Sequence, residues 1–115
     1  MKFIPLMTSL ALGVISANLY AGDIEAGKKL SEKYICASCH GPDLKHPIAP
    51  NYPKIAGQHE DYLYYALKSY KVDNHSQVGR GNAIMGGQAK QLTLAEMKDL
   101  AAYVASLPGD LVVKK

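Results

Sequence analysis

Five consecutive residues, Cys36-Ala37-Ser38-Cys39-His40, constrain this chain more than any other stretch of its sequence. They contain both of its cysteines, which can share one helical turn, and an imidazole directly after the second. Three readings of such a pair fit poorly. A redox dithiol of this spacing sits in a strand–helix–strand context, and no segment here alternates with the period of a strand. A structural zinc site would need His46, His59 or His75 to complete it, with no second Cys pair or close His pair to help. A disulfide would close a loop too tight to restrict the unfolded chain much. Covalent haem attachment fits best: thioethers from Cys36 and Cys39 to the edge of one haem, with His40 as an iron ligand. Composition agrees with this. In 115 residues there is no Trp, and the one Phe is Phe3. A small domain with so few large apolar side chains gains from a cofactor in its core.

Residues 1–21 read as a secretory leader. Lys2 gives a positive start, Phe3 to Ile15 is apolar apart from Pro5, Thr8, Ser9 and Gly13, and Leu19-Tyr20-Ala21 offers a cleavage site. The apolar run is shorter than the ~20 residues a spanning helix needs. The expected organisation is therefore a leader cut after Ala21 and one domain over 22–115, exported to the periplasm with no stable membrane insertion. The formal net charge of +3, less the single charge of Lys2, leaves +2. That weak balance argues against a nucleic-acid partner.

The domain reads as all-α. Asp23 to Tyr34 predicts a short helix, with Asp23 as cap, Glu25 in the first turn and Ala26, Leu30 and Tyr34 as its stripe. The cysteine motif breaks that helix, and Pro42, Pro47, Pro50 and Pro53 predict an irregular loop. Glu60 to Tyr70 predicts a helix with Leu63, Ala66, Leu67 and Tyr70 on one face. Gly79, Gly81, Gly86 and Gly87 predict a second long loop over 72–92. The last helix is announced by a Thr93/Glu96 capping box, carries Met97, Leu100, Ala101 and Val104, and ends at Pro108-Gly109. Two long loops in so small a domain imply that they wrap something. Beyond the leader, Met97 falls on an apolar stripe and belongs to the core, whereas Met85 lies on the glycine-rich segment. Met85 is therefore the expected sixth ligand of the iron, ahead of His59 and His75, which read as solvated. A thioether is a soft neutral ligand that favours ferrous iron and fills the coordination sphere, which suits electron transfer better than chemistry on a substrate.

Taken in order, these motifs resemble the class I c-type cytochromes of the short bacterial kind. The resemblance runs from the N-terminal helix into Cys36-x-x-Cys39-His40-Gly41, through Pro53-Lys54-Ile55-Ala56-Gly57-Gln58 and Tyr62-Leu63. It closes with Met85-Gly86-Gly87 and Leu100-Ala101-Ala102-Tyr103. It implies that the N- and C-terminal helices cross, while the middle helix and the loops enclose one haem c per chain. It also implies that a loop proline's carbonyl accepts a hydrogen bond from His40, with Pro53 favoured over Pro50. Many relatives place a Trp near a haem propionate. Here Tyr52, Tyr70 or Arg80 would take that place, with Arg80 read first as a solvated cation. The spacing from Gly27 to Cys36 is slightly longer than usual in the family. The activity implied is one-electron carriage in a respiratory chain, without enzyme catalysis, between a reductase donor and a terminal oxidase or reductase acceptor. A ligand sensor or haem enzyme would require Met85 to be off the iron.

Overall fold

The structure, a computed structural model, describes residues 22–72 and 79–110, together with residues 3, 4 and 13. The expected leader otherwise lies outside the described residues, and so does His75. Among the described residues five helices follow one another: α1 (Ile24–Lys33), α2 (Ala37–His40), α3 (Glu60–Lys71), α4 (Ala83–Lys90) and α5 (Leu94–Ser106). No strand occurs among the described residues, so the fold is all-α as the sequence implies. None of the helices among them is long and apolar enough to cross a membrane.

Helix α1 starts where Asp23 accepts a hydrogen bond from the Ala26 amide at 2.9 Å, with Glu25 in its first turn and Lys33 in its last. Leu30 and Tyr34 of the expected stripe are partly buried against a cluster of Ala89, Leu92, Met97 and Leu100. Gly27 and Ser31 are buried more fully, and α1 packs against α5. A Cβ on Gly27 would stand 2.0 Å from the Asp99 carbonyl oxygen, so the backbones meet too closely for any side chain there. The N- and C-terminal helices thus pack as the family resemblance implies, with Gly27 allowing the close approach and Leu30 and Tyr34 adding apolar contact.

Ile35, at a φ of 54°, ends the first helical run, and Cys36 then caps the single turn of α2. The proline-rich segment that follows is irregular but anchored. Leu44 is buried, and its carbonyl accepts from the amides of both Ile55 and Ala56, at 2.9 and 3.0 Å. The Gly57 amide reaches the Val104 carbonyl of α5 at 3.0 Å.

The second expected loop requires correction. Ala83–Lys90 is helical, because Asn82 caps it by accepting from the amides of Ile84 at 3.0 Å and Met85 at 2.9 Å. Two glycines inside a helix disfavour it by about 1 kcal/mol each. The cap, the completely buried Ala89 and packing against α3 outweigh that. Helix α5 begins in the expected capping box, with Thr93 and Glu96 exchanging bonds of 2.8 and 3.1 Å. It buries Met97, Leu100, Ala101, Ala102 and Val104.

The apolar interior forms two clusters. One gathers Leu44, Ala56, Leu63, Ala101 and Val104; the other gathers Ala89, Leu92, Met97 and Leu100. Members of both face one cavity.

Candidate functional site

That cavity has a volume of about 550 Å³. Cys36, Cys39, His40, Pro53 and Met85, which are 49 positions apart at the extremes, all line it. Helix α2 and its cap supply the first three, the proline loop supplies Pro53, and the first turn of α4 supplies Met85. Met97 is not among the lining residues; it is fully buried in the second cluster. His59 and His46 are exposed and stand off the cavity, and His46 instead pairs with Asp43 at 2.6 Å.

His40 is 6% exposed, and its Nδ1 lies 2.8 Å from the Pro53 carbonyl oxygen. A carbonyl can only accept, so Nδ1 carries the hydrogen and donates it. The lone pair is then on Nε2, which is the arrangement a metal-binding histidine needs. Cys36 and Cys39 are free thiols, each half-buried. Burial pushes the Cys36 thiol up from its ordinary range, partly offset by its hydrogen bond with Ser31. Among the described residues, no three His, Cys, Asp or Glu side chains gather into a metal-binding group, so a zinc site finds no ligand set there.

The rest of the wall is largely apolar, through Leu63, Leu67, Leu92, Leu100 and Val104, with Asn51, Gln58, Asn82 and Gln88 also on it. Among the described residues no carboxylate lines it, and the full cations that do are Lys54 and Arg80. The ammonium of Lys54 is engaged by Asp110 at 3.1 Å, and this contact holds the Asp110 carboxyl below its usual range. Arg80 is exposed, as a loop cation would be, but it is not loose. Its Nη2 donates to the Tyr62 hydroxyl at 3.1 Å, and its guanidinium lies 5.3 Å from the Tyr62 ring and 5.7 Å from that of Tyr70. Tyr62 and Arg80 are 18 residues apart, so this pairing could be found only by knowing that α3 and the 79–82 segment adjoin. The Arg80 amide bonded to the Ser69 carbonyl at 3.1 Å fixes that junction.

Two thiols, one imidazole with its Nε2 lone pair available, one thioether and a largely apolar wall with cations and, among the described residues, no acids form a coherent set. They match the edge, the iron, the ring and the carboxylates of a haem, so the residues present fit the group the motif implies.

The same conclusion comes from comparison with known proteins. The cytochrome c family profile matches residues 24–108. Cytochrome c4 of Stutzerimonas stutzeri is 38% identical over 106 residues, covering 89% of this chain and 49% of the relative. A thiosulfate dehydrogenase electron acceptor of Thiomonas intermedia is 34% identical over 106 residues, covering 92% of this chain and 46% of the relative. Among solved structures, reduced recombinant cytochrome c4 from Pseudomonas stutzeri superposes with a TM-score of 0.66 at 38% identity, covering 79% of this chain and 48% of that one. The chain spans about half the length of these relatives. From its profile match, its helical fold and its cysteine–histidine turn, the chain belongs to the cytochrome c family as a class I c-type cytochrome, a family whose cofactor is covalently bound haem c.

Proposed function

We propose that this chain is a periplasmic one-electron carrier of a respiratory chain, with one haem c fixed by Cys36 and Cys39 and ligated through His40 and Met85. The observation that carries the reading is that these four residues and Pro53 line one apolar cavity. When bound, the haem supplies an iron that cycles between Fe(III) and Fe(II). The two cysteines supply a single attachment, which supports one haem for this sequence.

The chain's own residues would hold and insulate that group. Cys36 and Cys39 anchor it through sulfur. His40 offers Nε2 while Nδ1–H donates to the Pro53 carbonyl, which keeps the ring from turning. Met85, held in place by the Asn82 cap, offers a soft neutral sulfur. Arg80, steadied by Tyr62 and Tyr70, places a positive charge on the wall where carboxylates need one. The leucines exclude water. Such a site has no vacant position for a substrate, which supports electron carriage over catalysis. The Thiomonas relative, named as an electron acceptor for thiosulfate dehydrogenase, supports a protein partner on the donor side; the acceptor in this reading is a terminal oxidase or reductase.

The test is a spectrum and an electrophoresis of protein matured with residues 1–21 intact. Haem should remain on the polypeptide under denaturing conditions, the redox titration should follow a single one-electron step, and the ferrous protein should not bind carbon monoxide. Extractable haem refutes the attachment, and ready carbon monoxide binding favours a ligand sensor.

A further inference from the structure

The start of the described domain is built more tightly than a linker requires. Gly22 is half-buried, and a Cβ on it would stand 2.0 Å from the Lys98 carbonyl oxygen, so only glycine fits against α5. Its nitrogen lies 3.3 Å from Oε1 of Glu60, the first residue of α3. The next amide, Asp23 N–H, donates to Asp99 Oδ1 of α5 at 2.8 Å. Three helices therefore converge on two successive backbone nitrogens.

Among the described residues, carboxylates outnumber cations at this junction. From α1 and its cap it receives the Asp23 carboxylate, from α3 Glu60 with Asp61 beside it and Lys68 two turns on, and from α5 Asp99 and Lys98, both lysines lining the same hollow as Glu60 and Asp61. The ammonium of Lys98 lies 5.7 Å from the Tyr64 ring, and that of Lys68 lies 6.0 Å from it. One more positive charge at the Gly22 nitrogen would be favourable there. A cation at the start of a helix opposes the helix dipole, and the neighbouring carboxylates offset that penalty.

We propose that the chain is cut between Ala21 and Gly22 and that the Gly22 ammonium so released forms an ion pair with Glu60, locking α1 to α3 over α5. The inference rests on the leader proposed above and adds what the new terminus does. The step is hydrolysis by an exported-protein processing peptidase: water adds across the Ala21–Gly22 amide, Ala21 leaves as a carboxylate, and Gly22 keeps the nitrogen as an amine that protonates. Maturation then converts a neutral amide contact into a charged one, and the folded domain gains a crosslink that the precursor lacks.

The intact mass of the exported haem-bearing protein is the first measurement. It should correspond to residues 22–115 plus haem. A mass retaining 1–21 refutes the leader itself, whereas cleavage at another bond leaves export standing and refutes the seat at Gly22. The pairing is read separately from Glu60→Gln and Gly22→Ala in the processed protein. Glu60→Gln should lower the denaturation midpoint at about pH 6 and lose that effect by about pH 10, on either side of the ordinary α-amino range of roughly 7.7–8.0. The sign follows from linkage: the ammonium's pKa is raised in the folded state, so its stabilisation is complete below the unfolded value and disappears as pH climbs through the folded one. Gly22→Ala pushes the terminus off Lys98, so Glu60→Gln should add little to it. A loss in Glu60→Gln that is equal at both pH values, or additive with Gly22→Ala, overturns the ion pair.

Discussion

Met97→Ala and Met85→Ala should fail in different ways. Met97 is 0% exposed and packed with Ala89, Leu92 and Leu100. Truncation removes three heavy atoms beyond Cβ, about 2.4 kcal/mol at ~0.8 kcal/mol per methylene-sized group. The rigid helices around it collapse incompletely, and the residual space adds about 24 cal/mol per Å³. A loss of about 3 kcal/mol results, within the 2–5 kcal/mol range for such deletions. At about 3 kcal/mol/M in guanidinium, the midpoint falls by about 1 M. The haem spectrum should be unchanged, because Met97 is off the cavity wall. Met85 is only half-buried, so its truncation affects packing less. It should instead abolish the weak far-red charge-transfer band of sulfur-ligated ferric haem, lower the reduction potential and open the ferrous iron to carbon monoxide. Equilibrium denaturation and optical spectra of both variants decide the matter. If Met97→Ala removes the band and Met85→Ala spares it, the assignment of the two methionines is reversed.

Arg80→Gln should lower the potential, since removing a cation from the cavity wall favours the oxidised iron, and should shift the resonance Raman bending band of the haem carboxylates; Arg80→Lys should keep most of the potential and lose part of the band shift. An unmoved band returns Arg80 to the status of a solvated cation. Asp43 is held at about 2, first by the Lys45 amide and then by the His46 side chain. Its pKa is depressed on folding, so its contribution is present above the ordinary carboxylate value and fades as pH drops through about 2. Acid titration of Asp43→Asn should therefore differ from wild type near neutrality and converge with it at the acid end; parallel curves refute this. Finally, among the described residues the wall carries Lys54 and Arg80 and no acid, so the electron-transfer rate with an acidic partner should fall moderately with ionic strength. A rate that rises with salt would assign the opposite charge to the docking surface.

The site was more legible in the sequence than the architecture around it. Cys36, Cys39 and His40 announce themselves because their chemistry demands fixed spacing, and a one-turn helix delivers it. The Thr93/Glu96 box and the stripe of α5 are local patterns, so they appear in the structure as written. Helix α4 was hidden because Gly86 and Gly87 argue locally for a loop. The countersignal was Asn82, a strong capping residue three positions before Met85. Gly27 was silent for a different reason. Its role is to let α5 approach, and a close approach between helices over 70 residues apart leaves no local trace. Leu44 was silent too, since one leucine in a proline-rich loop has no period to read, yet it anchors that loop with a buried side chain and a doubly bonded carbonyl.

These hidden features explain why the loops do not need to be long helices to hold a cofactor rigidly. On the proposed ligation, each side of the iron is tied back to the main chain within one contact. His40 is held by the Pro53 carbonyl, and the amide of Met85 is held by the Asn82 side chain. Pro53 in turn precedes the two amides bonded to Leu44, and Gly57 joins the same loop to α5 through Val104. Helix α4 is joined to α3 by packing and to the second cluster by Ala89. The main chain that carries each proposed ligand is therefore tied into a buried cluster. Interiors packed this way have few intermediate arrangements to visit. A catalyst or sensor needs one ligand to leave readily. A carrier needs both to stay while the charge changes, and the arrangement of this chain favours the second.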